Sequence, residues 1–161
     1  MTVIAVTGHL YLTEQTVPLV RRALGALLDG VPAGRLTGVS CIAEGTDALF
    51  AEAVLARGGR LVVVLPSADY RDTRVTPEYA EEFDRLVRAA DEVVVMPCPE
   101  ADQDAYAAAN AELLRRADRL VAVWDGLPGN GRGGTADMVA TARAAGLPVE
   151  VVWPDGAARR G

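Results

Sequence analysis

Short apolar runs rich in β-branched residues alternate along this chain with longer segments of helical period. The runs predict strands at Val3–Thr7, Leu36–Cys41, Leu61–Leu65, Glu92–Met96, Leu120–Trp124 and Val149–Trp153. Each is nearly continuous in apolar residues, the pattern of a strand covered by helices on both faces. Helices are predicted at Glu14–Leu28, Asp47–Ala56, Pro77–Ala89, Gln103–Arg116 and Thr135–Ala145. In the third of these, Tyr79, Phe83, Leu86 and Val87 form an apolar stripe at helical spacing. Thr76 before Pro77 reads as a cap followed by a first-turn proline, with Glu78, Glu81 and Glu82 near the positive end of the helix dipole. Asp102 is placed to cap the next helix. Gly58 and Gly146 fall just past helix ends, where a left-handed residue often closes the helix.

Strand and helix alternating this regularly predict an α/β domain: a single Rossmann-like, doubly wound, mainly parallel sheet of about six strands flanked by helices. The length of 161 residues suits one domain, taken as residues 1–154, with the polar stretch 155–161 expected to fray as a flexible tail. Half the residues are hydrophobic, enough for burial to offset chain entropy. No apolar run approaches the ~20 residues of a membrane span, and the N-terminus has neither basic flank nor cleavage pattern. A cytoplasmic protein without membrane contact is expected. Cys41 and Cys98 lie far apart, each near the end of an apolar run, and without a secretory signal buried free thiols are expected in preference to a disulfide. They lack clustered Cys or His partners for zinc, so neither metal nor cofactor is expected. The net charge of −6 argues against binding to nucleic acid or anionic membranes. Every basic residue is arginine, which excludes Schiff-base chemistry and a P-loop lysine.

In open α/β sheets, ligands bind outside the carboxyl ends of the strands near a switch in strand order. That rule selects the loops at Gly8 to Leu10, Ala43 to Asp47, Pro66 to Tyr70 and Asp125 to Thr135. The last is rich in glycine and leads into a helix. Its glycines permit close backbone approach, and the helix start offers unpaired N–H groups that suit phosphate. Gly131, Arg132, Gly133, Gly134 and Thr135 are therefore candidate phosphate-binding residues, with Arg132 adding a charge-assisted contact. Thr135 is a candidate helix cap as well; the alternative for the whole loop is a mobile surface segment. Residues 129–134 match G-x-G-x-x-G formally, but the dinucleotide fingerprint belongs in the first βα turn, which here is Gly8-His9-Leu10. Spacing from Gly126 to Gly133 resembles a Walker A loop, with Arg132 where lysine is required.

In the second loop Ala43, Glu44, Gly45, Thr46 and Asp47 form another strand-to-helix junction. Asp47 is a candidate acceptor for ribose hydroxyls or a helix-cap carboxylate. His9, the only histidine, is a candidate ligand contact or acid/base, against a solvated loop position. Pro66 ends the third strand at the predicted site. Tyr70 either stacks on a base or packs on the rim, with Asp69 beside it. Asp125 ends the fifth strand and is placed to hold the glycine loop or touch ligand. Trp124 and Trp153 read as core, and Glu112, next to Asn110 in the preceding helix, as a solvated face residue.

Ser40-Cys41-Ile42-Ala43-Glu44-Gly45-Thr46-Asp47, followed by Ala51, Ala53, Gly58-Gly59, Val63-Val64-Leu65-Pro66 and Tyr70, resembles the Rossmann-like core of the DNA-processing protein A (Smf) family. Cys41 stands where that family has glycine. The Gly134-Thr135 loop resembles the G-G-x-G-T phosphate loop of the Lonely Guy (lysine-decarboxylase-like) proteins. Here the loop's leading proline is missing and the nearest acid is Asp137. Both families belong to the SLOG superfamily. The resemblance spans roughly residues 3–150 and implies binding of a nucleotide or nucleotide-derived small molecule, as a ligand-binding or sensor domain. It also implies two other activities: hydrolysis of a nucleoside 5′-monophosphate at the N-glycosidic bond, with Asp137 or Glu44 as catalytic carboxylate, and, with less support from this acidic chain, single-stranded DNA binding. A homodimer formed through helices is implied too.

Overall fold

The computed structural model describes residues 1–128 and 134–160. Six strands, β1 (Thr2–Gly8), β2 (Leu36–Ser40), β3 (Arg60–Leu65), β4 (Glu92–Val95), β5 (Arg119–Val123) and β6 (Val149–Val152), alternate with helices. The helices are α1 (Thr16–Leu28), α2 (Thr46–Ala56), α3 (Tyr70–Arg74), α4 (Pro77–Ala89), α5 (Gln103–Arg116) and α6 (Thr135–Ala144). The strands form one sheet in the order β4-β3-β2-β1-β5-β6, and every neighbouring pair is parallel.

Side chains alternate across the sheet because successive Cβ atoms point to opposite faces. Ile4 and Val6 of β1, with Val121 and Val123 of β5, pack against Val20, Leu24 and Leu28 of α1 and Phe50 of α2. Leu61 and Val63 of β3 meet α2 and α4 on the same side, through Ala51, Phe83 and Leu86. The intervening residues Ala5, Val62, Val64, Leu120 and Ala122 face α5 and α6, touching Leu113, Met138 and Val139. Both faces are thus covered over the four central strands, which is why those strands read as unbroken apolar runs. The edge strands differ from that expectation: Val93 and Val95 of β4 and Val151 of β6 are exposed. Glu92 and Glu150 mark these edges with charge, which discourages pairing with another chain.

Asp102 caps α5, its Oδ1 accepting the Ala105 N–H at 2.9 Å. Replacing it with alanine is expected to cost about 1 kcal/mol, measured by urea unfolding. Gly58 and Gly146 take positive φ after α2 and α6. Thr76 occupies the cap position of α4, but its hydroxyl turns to Glu44 at 3.4 Å and makes no cap bond. Glu112 is not a solvated face residue. Arg115 and Arg116 both bond it, and their hydrogen bonds hold its carboxyl down to about 2. Arg116 also reaches Glu92, tying the end of α5 to the β4 edge. Among the described residues no helix is long and apolar enough to cross a membrane, and both cysteines are free, Cys41 buried and Cys98 half-buried.

Of the stretch 155–161 expected to fray, residues 158–160 lie along the β1–α1 loop. Thr13 N–H donates to Ala158 O (3.1 Å) and Arg160 N–H to Tyr11 O. The Thr16 hydroxyl bonds both the N–H and the carbonyl of Ala158. Polar composition suggested a loose tail; the loop opposite supplies partners for its backbone groups.

Candidate functional site

From β1 the chain adds β2, β3 and β4 on one side, then returns to place β5 on the other side of β1. The order reverses between β1 and β5, and neighbouring connections diverge there, leaving a crevice at the strand ends. A cleft of about 530 Å³ opens there, within the range of small-ligand sites.

One wall is built by the β2–α2 loop and by α3 and α5. Cys41, Ala43, Asp47, Tyr70, Tyr106 and Asn110 line it. The loop is held in sparsely populated backbone conformations: Ile42 has φ +45° and Gly45 φ +96°. Several bonds fix it there. The Ser40 hydroxyl accepts the Ile42 N–H (3.0 Å) and donates to Asp47 O (3.2 Å). The Tyr79 hydroxyl donates to Ile42 O at 2.7 Å, and Thr46 donates its hydroxyl to His9 O at 3.0 Å. Asp47 stands in the first turn of α2, and its Oδ2 accepts the Ala43 N–H at 3.3 Å, so it braces the loop instead of capping the helix. Burial pushes its carboxyl up to about 7, a rise that the Ala43 N–H only partly offsets. Burial likewise raises Tyr70 and Tyr106, and raises Cys41 with help from Asp47. This wall offers hydrogen-bonding groups, with the tyrosines and Cys41 protonated at neutral pH and Asp47 exchanging its proton near pH 7.

The opposite side is polar in a different way. His9 follows β1, and its side chain is 10 % exposed. The Asp125 N–H donates to His9 Nε2 at 3.2 Å, and the Trp153 ring meets the imidazole edge-on at 5.4 Å. Burial lowers the His9 pKa; Asp125 works against that and Arg159 reinforces it, so the ring is neutral at pH 7. Burial alone would raise Asp125, but the Leu127 N–H, His9 and Arg159 outweigh it and hold the carboxyl low. Arg159 Nε pairs with Asp125 Oδ2 at 3.0 Å. Gly134, Thr135 and Ala136, at the start of α6, also line the cleft. Their first-turn N–H groups have no intrahelical acceptor.

Gly8, His9, Ala43, Asp47, Gly134 and Thr135 are therefore brought together in the cleft. Asp125 sits behind His9, outside the lining. Thr46 is buried and spends its hydroxyl on His9 O, and Pro66 is buried below the rim. Glu44 and Gly45 line a separate depression beside α4. Asp137 is exposed on α6, outside the cleft lining. Thr135 is the first residue of α6, and Gly134 holds the cap position. Gly131, Arg132 and Gly133 lie outside the described residues. Trp153 packs on the core, but Trp124 is half-buried in the cleft lining, its Nε1 donating to Leu127 O at 2.9 Å. Tyr106, Arg159 and Arg160 were missed. Tyr106 and Asn110 share one face of α5 at i, i+4 spacing, a usable signal; nothing in the tail's sequence pointed to its arginines. Among the described residues, no three His, Cys, Asp or Glu side chains converge as a metal site requires.

No family model and no curated protein sequence matches the chain. Solved structures do. DNA processing protein A from Streptococcus pneumoniae superposes with a TM-score of 0.71 at 18% identity over 97% of this chain. The chain spans 52% of that protein, about half its length. The molybdenum cofactor binding protein from Rippkaea orientalis gives 0.59 at 19% identity, covering 96% of this chain and 77% of its own. The Moco carrier protein from Chlamydomonas reinhardtii gives 0.59 at 23%, covering 94% and 75%. With the six-stranded all-parallel sheet, these likenesses show that the chain shares the Rossmann-like α/β fold of these structures.

Proposed function

We propose that the cleft binds a nucleotide or nucleotide-derived small molecule and that the protein acts as a ligand-binding or sensor domain. One observation carries this reading: a single cleft at the switch point joins two chemically different walls. The wall from β2, α3 and α5 carries hydrogen-bonding side chains, Asp47, Tyr106 and Asn110 among them, suited to a base and ribose. The side at β5 carries the start of α6, suited to phosphate. Two structural neighbours, by name, bind or carry the molybdenum cofactor, a small molecule, which supports a small-ligand role for the fold.

Hydrolysis of a nucleoside 5′-monophosphate is less well supported. The two carboxylates that the resemblance offers for that chemistry, Asp137 and Glu44, both lie outside the cleft lining. DNA binding has a neighbour in DNA processing protein A, but the net charge of −6 opposes it.

A thermal-shift panel of nucleoside phosphates, NAD, ADP-ribose and cyclic dinucleotides tests the reading. One ligand class is expected to stabilise the protein by about 2.7 kcal/mol at ~100 times its Kd, with no free base released. A panel without any shift contradicts it.

A further inference from the structure

Two arginines reach the cleft from the far end of the chain. Residues 158–160 run along the β1–α1 loop, with an isolated bridge between Leu12 and Arg159. That docking brings Arg159 and Arg160 into the cleft lining. Asp125 aims the first of them. Its side chain is 12 % exposed, its Oδ1 holds the Leu127 N–H at 3.0 Å, and its Oδ2 takes Arg159 Nε at 3.0 Å. A guanidinium has five N–H donors, so this pairing fixes the head and leaves donors for a ligand. Arg159 is 41 % exposed and so reachable from the cleft. Arg160 lies 5.8 Å from the Tyr11 ring centroid and pairs with no carboxylate among the described residues.

The placement separates charge within the cleft. Arg159, paired with Asp125 after β5, and the start of α6 stand on the β5 side of β1, and Asp47, Tyr70 and Tyr106 on the β2 side; Arg160, at Tyr11, lines both the cleft and the neighbouring depression that holds Glu44. His9, between them, is neutral and adds no competing charge. In a protein of net charge −6, two guanidinium groups in the lining of one cleft call for an anionic ligand.

We infer that Arg159 and Arg160 form the anion subsite of the cleft and bind the phosphate of a phosphorylated nucleoside. This rests on the nucleotide-binding reading above. The test is calorimetry on the full chain at pH 7, titrating the common nucleoside 5′-monophosphates and their matching nucleosides. Wild type, Arg159→Gln, Arg160→Gln and the double variant are compared. Arg159→Gln breaks an ion pair of the fold; Arg160→Gln breaks none with the described residues, so it keeps the test independent of tail docking. The best monophosphate is expected to bind wild type at least about tenfold more tightly than its nucleoside. The double variant should lower monophosphate affinity to the nucleoside's level, leave nucleoside affinity unchanged and abolish the salt dependence. A double variant that keeps the phosphate preference overturns the inference. Equal binding of monophosphate and nucleoside by wild type overturns it too, yet leaves the cleft reading standing. Failure of both ligands to bind overturns both.

Discussion

An alanine at Gly45 is expected to lower the unfolding free energy by roughly 4 kcal/mol, a large fraction of the stability of a domain this size. Gly45 has φ +96° and ψ −128°, a region open to glycine and costly for any residue with a side chain. A Cβ there would also lie 2.2 Å from the Leu10 carbonyl oxygen, and backbone cannot swing aside as a flexible side chain can. Relief requires the β1–α1 loop and the start of α2 to separate. The Thr46 bonds to His9 O would then break, and with them the placement of His9 and Asp47 around the cleft. Urea unfolding reads the stability loss. A variant within 1 kcal/mol of wild type would show the loop to be far less constrained than its geometry requires.

Asp47→Asn should reverse a pH-dependent penalty. The carboxyl's folded-state pKa of about 7 lies above its ordinary value of 3.8. The native state therefore holds the proton more tightly than the unfolded chain. The group's contribution is fully present below pH 3.8 and is lost as pH rises toward 7. The cost to the wild type at pH 8, relative to pH 3.8, is on the order of 4 kcal/mol. Asparagine has the same shape, keeps an acceptor for the Ala43 N–H and does not titrate. The difference in stability between variant and wild type should grow steadily in the variant's favour between pH 4 and 7 and flatten above. A difference independent of pH would contradict the burial of this carboxyl. A bound ligand that donates a hydrogen bond to Asp47 favours the ionised form, so ligand binding is expected to lower the pH at which the difference flattens and to shrink its size.

The strands were legible because burial on both faces leaves an unmistakable apolar run, as in Leu61 to Leu65. The same logic overstated the cover on β4 and β6, where the sheet ends and Val93, Val95 and Val151 meet solvent. Helix α3 went unseen: Tyr70 to Arg74 is a single polar turn with too few residues to declare a period. Thr76 has the chemistry of a cap, but a partner 32 residues away takes its hydroxyl, which a local reading cannot see. The strand-end rule found Gly8, His9, Ala43 and Asp47, since each lies in a βα turn whose position follows from strand order. It also promoted Glu44, adjacent in sequence but turned toward Thr76 and away from the cleft. Arg159 and Arg160 were invisible for the opposite reason. Their arrival depends on backbone bonds to Tyr11 and Thr13, nearly 150 residues earlier, and composition alone described them as part of a loose end.

The most direct test of the cleft is amide chemical-shift mapping on the full chain, titrated with whichever nucleoside 5′-monophosphate stabilises it best. The largest changes are predicted at Gly8 to Leu10, Ala43, Asp47, Tyr106 and Gly134 to Ala136, with the exposed β4 edge unmoved. Changes centred on β4 and α4, or scattered without a focus, would contradict the assignment of the switch-point cleft as the binding site.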